Sequence, residues 1–298
     1  MQHRKSKAPY VFIAPYALLF VTFSVFPILY GFYISLNNWN GLTPPIFTGI
    51  ENYLQVVRDP RFFMALKNTL IFMAMIIPPQ IVIGFLLAYV LNSSLVRGRG
   101  FFRTMYFMPY LTTAIAIGTI FGHLFERNFG LINQLLVTSG AMAKGINWTG
   151  DVWWSRTMIS FVTVWRYVGY TSVIFMAGLM NINPDLYEAA EIDGANGFQK
   201  MWRITLPMLR SVSNFIIITT VIGCFGIFEE PFMIFDSTTR VIGGPGYSSL
   251  TGMWLFYDTA FSNAMRYGYA GAISFSLFIF LMILTFFVNK LLNVGGDQ

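Results

Sequence analysis

The segment 267–289, YGYAGAISFSLFIFLMILTFFVN, contains no charged residue and is bracketed by Arg266 and Lys290. It exceeds the roughly 20 residues that a helix needs to cross the hydrocarbon core of a bilayer. Inside hydrocarbon only helices and closed barrels satisfy their own backbone polar groups. Because the apolar residues are continuous rather than alternating, this segment predicts a transmembrane helix.

The composition extends this prediction to the whole chain. Its 298 residues are 55% hydrophobic and 11% charged, with a mean hydropathy of +0.59. Soluble domains carry about 25% charged residues, so this chain cannot cover a water-facing surface. The net charge of +6 is scattered through short loops, which does not indicate a nucleic-acid partner. The sequence therefore predicts a polytopic membrane protein.

Gaps between charged residues divide the chain into six apolar runs, which predict an all-α transmembrane helical bundle. Tails at residues 1–10 and 293–298 flank the membrane domain at residues 11–292. The predicted spans are approximately Val11–Leu36, Thr69–Leu95, Thr104–Leu124, Thr157–Leu179, Ser211–Phe235 and Tyr267–Leu292.

The basic residues also predict an orientation. Arg4, Lys5 and Lys7 precede the first span, which places the N-terminus in the cytoplasm by the positive-inside rule. Six spans return the C-terminus to the same side. The loop at residues 183–210 then lies in the cytoplasm as well.

The loop at residues 183–210 is polar and charge-rich between two apolar runs, which is typical of a docking surface for a soluble partner. Asn183-Pro184-Asp185 predicts the start of a helix that runs to about Asp193. Gly194 predicts a left-handed stop. A second short helix is expected at about Phe198–Ile204, and Pro207 opens the fifth span.

This loop resembles the EAA motif of ABC importer permeases. That motif is Glu-Ala-Ala, three residues, Gly, nine residues and Ile-x-Leu-Pro, and this chain has Glu188-Ala189-Ala190, Gly194, Ile204, Leu206 and Pro207 at that spacing. The variant Ile192-Asp193-Gly194-Ala195 is similar to the carbohydrate branch. Further similarities to that branch lie at Met108-Pro109-Tyr110, Trp165 to Gly178-Leu179, Gly243-Gly244-Pro245 and Tyr267-Gly268-Tyr269-Ala270.

The resemblance implies the type I fold of ABC importer permeases and a transport function rather than an enzymatic one. It also implies a second homologous permease subunit in a heterodimer, two ATPase subunits that bind ATP and Mg, and an extracytoplasmic sugar-binding protein. This chain would bind no cofactor and would lie in the lipid of a bacterial or archaeal plasma (inner) membrane. The residues that would couple it to the ATPase are Glu188, Ala189, Ala190, Asp193, Gly194, Ile204, Leu206 and Pro207.

Three charged residues fall within predicted spans, where an Arg at the centre costs roughly 2.5–3.5 kcal/mol or more. One interpretation is that Arg166, Glu229 and Glu230 line a polar path for sugar. The alternative is that Arg166 forms a structural ion pair with a glutamate, or that the charged residues lie near a membrane interface. The resemblance places substrate contacts on spans three to five. The expected path residues are Tyr110, Thr113, Trp165, Arg166, Tyr170, Gly226 and Glu229.

Other functions find less support in the sequence. There is no G-x-x-x-x-G-K-[ST] loop for nucleotide and no H-E-x-x-H motif for zinc, and His3 and His123 show no metal-ligand spacing. A membrane-embedded enzyme would need a paired catalytic constellation that the sequence does not show. The remaining alternatives are an ABC permease for another solute, such as an amino acid or glycerol phosphate, and an ion-coupled carrier that works alone.

Overall fold

The computed structural model describes residues 8–93, 96–238, 241–261 and 265–293, so most of both predicted tails lies outside the described residues. Most of the described residues are helical, and the strands among them are one short antiparallel pair, β1 (Asn37–Asn38) and β2 (Ile46–Phe47). The α-helices are α1 Ala8–Phe20, α2 Phe26–Ser35, α3 Glu51–Arg58, α4 Pro60–Asn92, α5 Arg99–Leu111, α6 Ala114–Leu124, α7 Leu131–Thr138, α8 Val152–Met180, α9 Asp185–Ile192, α10 Gly197–Lys200, α11 Leu206–Met208, α12 Arg210–Phe225, α13 Glu229–Thr238, α14 Gly252–Phe261 and α15 Tyr267–Asn293.

Within the described part of the chain, four continuous helical segments are long and apolar enough to cross a membrane. They are Val11–Ser35, Pro60–Asn92, Val152–Leu179 and Tyr267–Leu292, and they correspond to the predicted spans one, two, four and six. The first joins α1 to α2 through a π-helical turn at Val21–Val25. Two further helix pairs are long and apolar enough to cross when each bent pair is taken as one span. They are Arg99–Leu111 with Ala114–Leu124, and Gly197–Met208 with Arg210–Phe225. The count of spans reaches six only if both pairs are included.

The third predicted span is not one continuous helix. Helices α5 and α6 meet at an angle of 95°, with extended backbone at Thr112 and Thr113 between them. The side chain of Thr113 accepts a hydrogen bond from the amide of Ala116 at 3.4 Å, so it caps the start of α6. This local hydrogen bond stabilises a non-helical backbone at Thr113. The spacing of charged residues could not predict this break in the helix.

The fifth predicted span, 211–235, is also broken. Helix α12 ends at Phe225, residues 226–228 are not helical, and α13 begins at Glu229. Two consecutive carboxylates, Glu229 and Glu230, open α13, where the helix dipole favours negative charge. The fifth apolar run therefore contains the end of α12 and the start of α13 instead of one continuous helix.

The chain divides into two compact units, Met1–Phe62 with Leu255–Ile279, and Phe63–Trp254 with Phe280–Gln298. In the first unit the buried amide of Asn52 donates to the carbonyls of Ser35 and Asn37, both at 2.9 Å. Burial there disfavours the charged form of Asp59, yet hydrogen bonds from Arg61 and Tyr269 outweigh it and lower the pKa of Asp59.

Glycines allow the helices of the second unit to approach closely. A Cβ at Gly169 of α8 would overlap the backbone of Tyr106 in α5, and one at Gly118 of α6 would overlap Met233 of α13. Without a hydrophobic driving force between helices in lipid, such close backbone packing is a main source of association. Thus α5 packs on α8, and α6 packs on α13.

The loop before α8 has a small core of its own. Trp148 is 7% exposed, its indole nitrogen donates to Asn133 at 2.9 Å, and its ring packs edge-on against Phe125 and Trp154. Trp148 is therefore a packing residue of this loop.

We expect Gly169→Ala to lower the stability of the folded protein by about 1–3 kcal/mol, because the added methyl group overlaps the backbone of α5. Thermal unfolding of the purified protein in detergent measures this change. Gly100→Ala is the matched control, since a Cβ at Gly100 of α5 would contact no other described residue apart from its own helix and chain neighbours. Equal unfolding temperatures for the two variants would contradict the close packing of α5 on α8.

Candidate functional site

The second unit contains a cavity of about 420 Å³ between α4, α5, α8, α12 and the start of α13. Tyrosine rings, hydroxyl groups, one amide and three charged side chains line it. The lining includes Gln80, Tyr110, Arg166, Tyr167, Tyr170, Thr171, Thr220, Gly226, Glu229 and Glu230.

Three tyrosines form one aromatic wall of the cavity. The ring of Tyr110 on α5 stacks on Tyr170 of α8 with centroids 4.9 Å apart and an interplanar angle of 17°. Tyr167, one turn earlier on α8, meets Tyr110 edge-on at 5.7 Å. The close approach of α5 to α8 thus brings together rings that are far apart in sequence.

An amide from α4 supplies a second polar surface. Gln80 is 5% exposed, and its Nε2 donates to the hydroxyl of Thr171 at 2.9 Å and to that of Thr220 at 3.5 Å. These hydrogen bonds join α4, α8 and α12. A buried polar network of this kind fixes the helices only while its members stay paired.

The charged residues of the cavity form an ion pair that also ties two helix breaks together. Nη1 of Arg166 contacts Oε1 of Glu230, and the side chains are 13% and 5% exposed. Nη2 of Arg166 donates to the carbonyl of Thr112 at 3.3 Å, at the break between α5 and α6. Glu229 is 62% exposed, with Oε2 at 3.9 Å from Nη1.

These charged residues form an ion pair and also line the cavity. Arg166 and Glu230 form the structural ion pair, and Arg166, Glu229 and Glu230 all line the cavity. Arg166 also satisfies a carbonyl that the broken helix leaves unpaired, which would otherwise be costly at membrane depth. Glu230 is buried within the protein, whereas Glu229 is exposed.

The structure brings five of the seven expected path residues to the cavity: Tyr110, Arg166, Tyr170, Gly226 and Glu229. The other two lie elsewhere. Thr113 caps α6, and Trp165 packs edge-on against Phe121 with centroids 4.9 Å apart. The sequence analysis did not identify Gln80 and Thr220 as cavity residues. For Gln80 there was a signal, because it places a polar amide within the second apolar run.

The loop predicted to dock a soluble partner, residues 183–210, is named the EAA segment. Helix α9 runs from Asp185 to Ile192, as expected, and Gly194 adopts the left-handed conformation with φ of 80°. Asn196 and Gln199 then form a reciprocal capping box at the start of α10. The helical path continues through a π-helical turn at Met201–Thr205 into α11.

One side of the EAA segment is anchored to the membrane helices. Tyr187 hydrogen-bonds through its hydroxyl to Thr205 at 3.0 Å. Tyr187, Met201 and Leu206 pack against a buried cluster that includes Phe85, Ala88, Phe175, Leu179 and Leu209. A force applied to α9 would therefore reach α4, α8 and α12 through close packing.

The other side of the EAA segment is exposed and partly apolar. Ile192, Phe198 and Trp202 are 88%, 67% and 55% exposed. Of the predicted coupling residues, Glu188, Ala189, Asp193, Gly194 and Pro207 are exposed, and Ala190, Ile204 and Leu206 are half-buried. An exposed apolar patch with polar neighbours is characteristic of a protein interaction site.

A second polar cluster holds the Gly243–Thr251 loop. Asn68 of α4 donates to the carbonyls of Tyr247 and Leu250 at 2.6 and 2.9 Å. Arg156 of α8 donates to Asn68 at 2.8 Å and to the carbonyl of Ser248 at 3.2 Å. The chain turns at Gly243-Gly244-Pro245, as adjacent glycine and proline residues indicate, and both glycines have positive φ angles.

We expect Arg166→Gln and Glu230→Gln each to destabilise the folded protein by about 3–5 kcal/mol, because each leaves a buried charge without its partner. The double variant should lose less than the sum of the two losses. Thermal unfolding in detergent and the inserted fraction measure both effects. Glu229→Gln is the control, since this exposed side chain should change stability little, and strictly additive losses would contradict a direct ion pair.

Solved structures share this fold. A chain of a bacterial ABC transporter involved in the import of the acidic polysaccharide alginate superposes with a TM-score of 0.79 at 21% identity, over 96% of this chain and 95% of that chain. A structure of the bacterial alginate ABC transporter with an alginate pentasaccharide-bound periplasmic protein gives 0.76 at 20% identity, over 97% and 94%. This likeness shows that the chain shares the fold of a chain of these ABC transporters.

Sequence comparisons agree with the fold. The chain is 32% identical to the probable ABC transporter permease protein YurN of Bacillus subtilis over the full length of both proteins. It is 32% identical to the lactose transport system permease protein LacF of Rhizobium radiobacter, over 93% of this chain and 91% of that protein. It is 34% identical to the arabinooligosaccharides transport system permease protein AraP of Bacillus subtilis, over 97% and 90%. The profile of the binding-protein-dependent transport system inner membrane component matches residues 69–294, and the chain therefore belongs to this family of multi-pass membrane proteins.

Proposed function

We propose that this chain is one of two transmembrane subunits of an ATP-driven importer for a sugar or oligosaccharide. A binding protein outside the membrane delivers the sugar, a second permease completes the path, and two ATPase subunits bind ATP and Mg. The observation that carries this proposal is a cavity lined by stacked tyrosines and by amide and hydroxyl groups. The names of the lactose and arabinooligosaccharide permeases support the substrate class.

The cavity suits a sugar for chemical reasons. The C–H faces of a sugar ring pack on aromatic rings, and its hydroxyls exchange hydrogen bonds with amides, hydroxyls and carboxylates. Tyr110 and Tyr170 supply the rings, and Gln80, Thr171 and Thr220 supply neutral polar groups. A volume of about 420 Å³ lies within the range of small-molecule sites.

The EAA segment would transmit the work of ATP hydrolysis. Its exposed side would seat in a cleft on an ATPase subunit, and its anchored side would pass the motion to α4, α8 and α12. Nucleotide-driven closure of the ATPase pair would then move the membrane helices as bodies and switch access to the cavity. This arrangement requires the segment and both termini on the cytoplasmic side of an inner membrane crossed six times.

The role of the aromatic wall is tested with Tyr170. In the complete transporter reconstituted with its binding protein and ATPases, Tyr170→Ala should raise the sugar concentration for half-maximal uptake roughly tenfold, equivalent to ~1.4 kcal/mol. Tyr170→Phe retains the ring and should change it less. Tyr16→Ala, an exposed residue of α1, is the control. Normal uptake by Tyr170→Ala would contradict a sugar site at this wall.

The role of the EAA segment is tested with Gly194→Asp and Glu188→Lys, which should abolish uptake while the protein stays inserted. A side chain at Gly194 is strained by its φ of 80°, and Glu188→Lys reverses an exposed charge on α9. Pull-down of the ATPase subunit and uptake in proteoliposomes are the measurements. Gly197→Ala is the control, because a Cβ there meets open space. Unchanged association together with unchanged uptake in either variant would count against the docking role.

A further inference from the structure

We infer that Glu229 makes the cavity selective for uncharged sugars over acidic ones. This inference rests on the proposed sugar-transport function and adds a specificity-determining residue to it. The selection acts through charge, so it excludes sugars that fit the cavity by shape.

The charges that line the cavity do not balance. Among the described residues of the lining, three are charged: Arg166 contributes one positive charge, and Glu229 and Glu230 contribute two negative charges. The remaining lining residues are neutral. An entering carboxylate or phosphate therefore meets a net negative charge of one.

Arg166 is not available as a partner for an anion. Its Nη1 contacts the buried carboxylate of Glu230, its Nη2 donates to the carbonyl of Thr112, and Glu229 lies 3.9 Å away. The guanidinium charge is thus already compensated by one carboxylate in contact and a second one nearby. Its Nε is buried and has no hydrogen-bond partner among the described residues, so it is not exposed to an entering anion either.

Glu229 is the exposed charge of the three. Its side chain is 62% exposed, against 5% for Glu230 and 13% for Arg166, so a ligand meets Glu229 first. A hydroxyl donates to this carboxylate, whereas a second carboxylate at the same distance is repelled by it. Placing like charges together is a common way to reject the wrong ligand.

The fold alone does not set this preference. The neighbouring structures come from a transporter involved in the import of an acidic polysaccharide, and they share the fold at about one fifth sequence identity. Selectivity for charge resides in individual side chains on a common architecture. For this chain those side chains are Arg166, Glu229 and Glu230.

The test measures direct sugar binding to the complete transporter in lipid nanodiscs, with the binding protein omitted so that only the membrane subunits select. The probes are the neutral disaccharides lactose and arabinobiose and the dianion digalacturonate at pH 7. Saturation-transfer NMR measures the binding of each probe. The wild type should bind a neutral probe at least tenfold more tightly than digalacturonate. Glu229→Gln should reduce this ratio roughly tenfold, equivalent to ~1.4 kcal/mol.

Two controls separate charge from other effects. Glu51→Gln removes an exposed glutamate outside the cavity lining and should leave the ratio unchanged. Raising the salt concentration from 50 to 500 mM should reduce the ratio in the wild type, because salt screens the repulsion. Glu229→Gln should lose this salt dependence in part.

The outcomes distinguish this inference from the function on which it rests. Equal affinity of the wild type for neutral and acidic probes, or an unchanged ratio in Glu229→Gln, would overturn the role of Glu229 and leave the sugar cavity standing. Failure of every probe to bind any variant would overturn the sugar cavity itself, and the inference with it.

Discussion

The contact of Arg166 with Glu230 and with the carbonyl of Thr112 joins the two places where membrane helices break. A broken helix exposes backbone groups that hydrocarbon cannot satisfy, so each break needs a polar partner from the protein. Arg166 supplies that partner at the α5–α6 break and neutralises a carboxylate at the start of α13. The cost of its charge at membrane depth is thus offset within one cluster.

The breaks have a structural consequence for the cavity. Because α5 ends at Leu111 and α12 ends at Phe225, the segments beyond them, α6 and α13, turn away and pack on each other at Gly118. Gly226 and Glu229, which lie at the break between α12 and α13, line the cavity. Irregular backbone at membrane depth is tolerated where it lines such a cavity.

The EAA segment shows how a short motif combines an exposed surface with a rigid attachment. Ile192, Phe198 and Trp202 are its exposed apolar residues. Other residues of the same segment pack against the buried cluster of α4, α8 and α12. Gly194 and the capping box at Asn196 fix the turn between its two helical parts. A surface held in this way can transmit displacement, whereas a flexible loop could not.

The apolar runs, the helix ending before Gly194 and the turn at Gly243-Gly244-Pro245 were predictable because each is a local property: bilayer thickness, a left-handed backbone and turn chemistry. The spacing of charges could not reveal the breaks at Thr112–Thr113 and at residues 226–228, since an apolar run reports only what lipid tolerates. The sequence by itself determined a helical membrane protein with an EAA segment. Only the tertiary structure decided that Arg166 pairs more closely with Glu230 than with Glu229. It also decided which polar residues line the cavity: Gln80 and Thr220 do, whereas Thr113 and Trp165 do not. Those contacts depend on how closely glycine-bearing helices pack, which no stretch of sequence specifies alone.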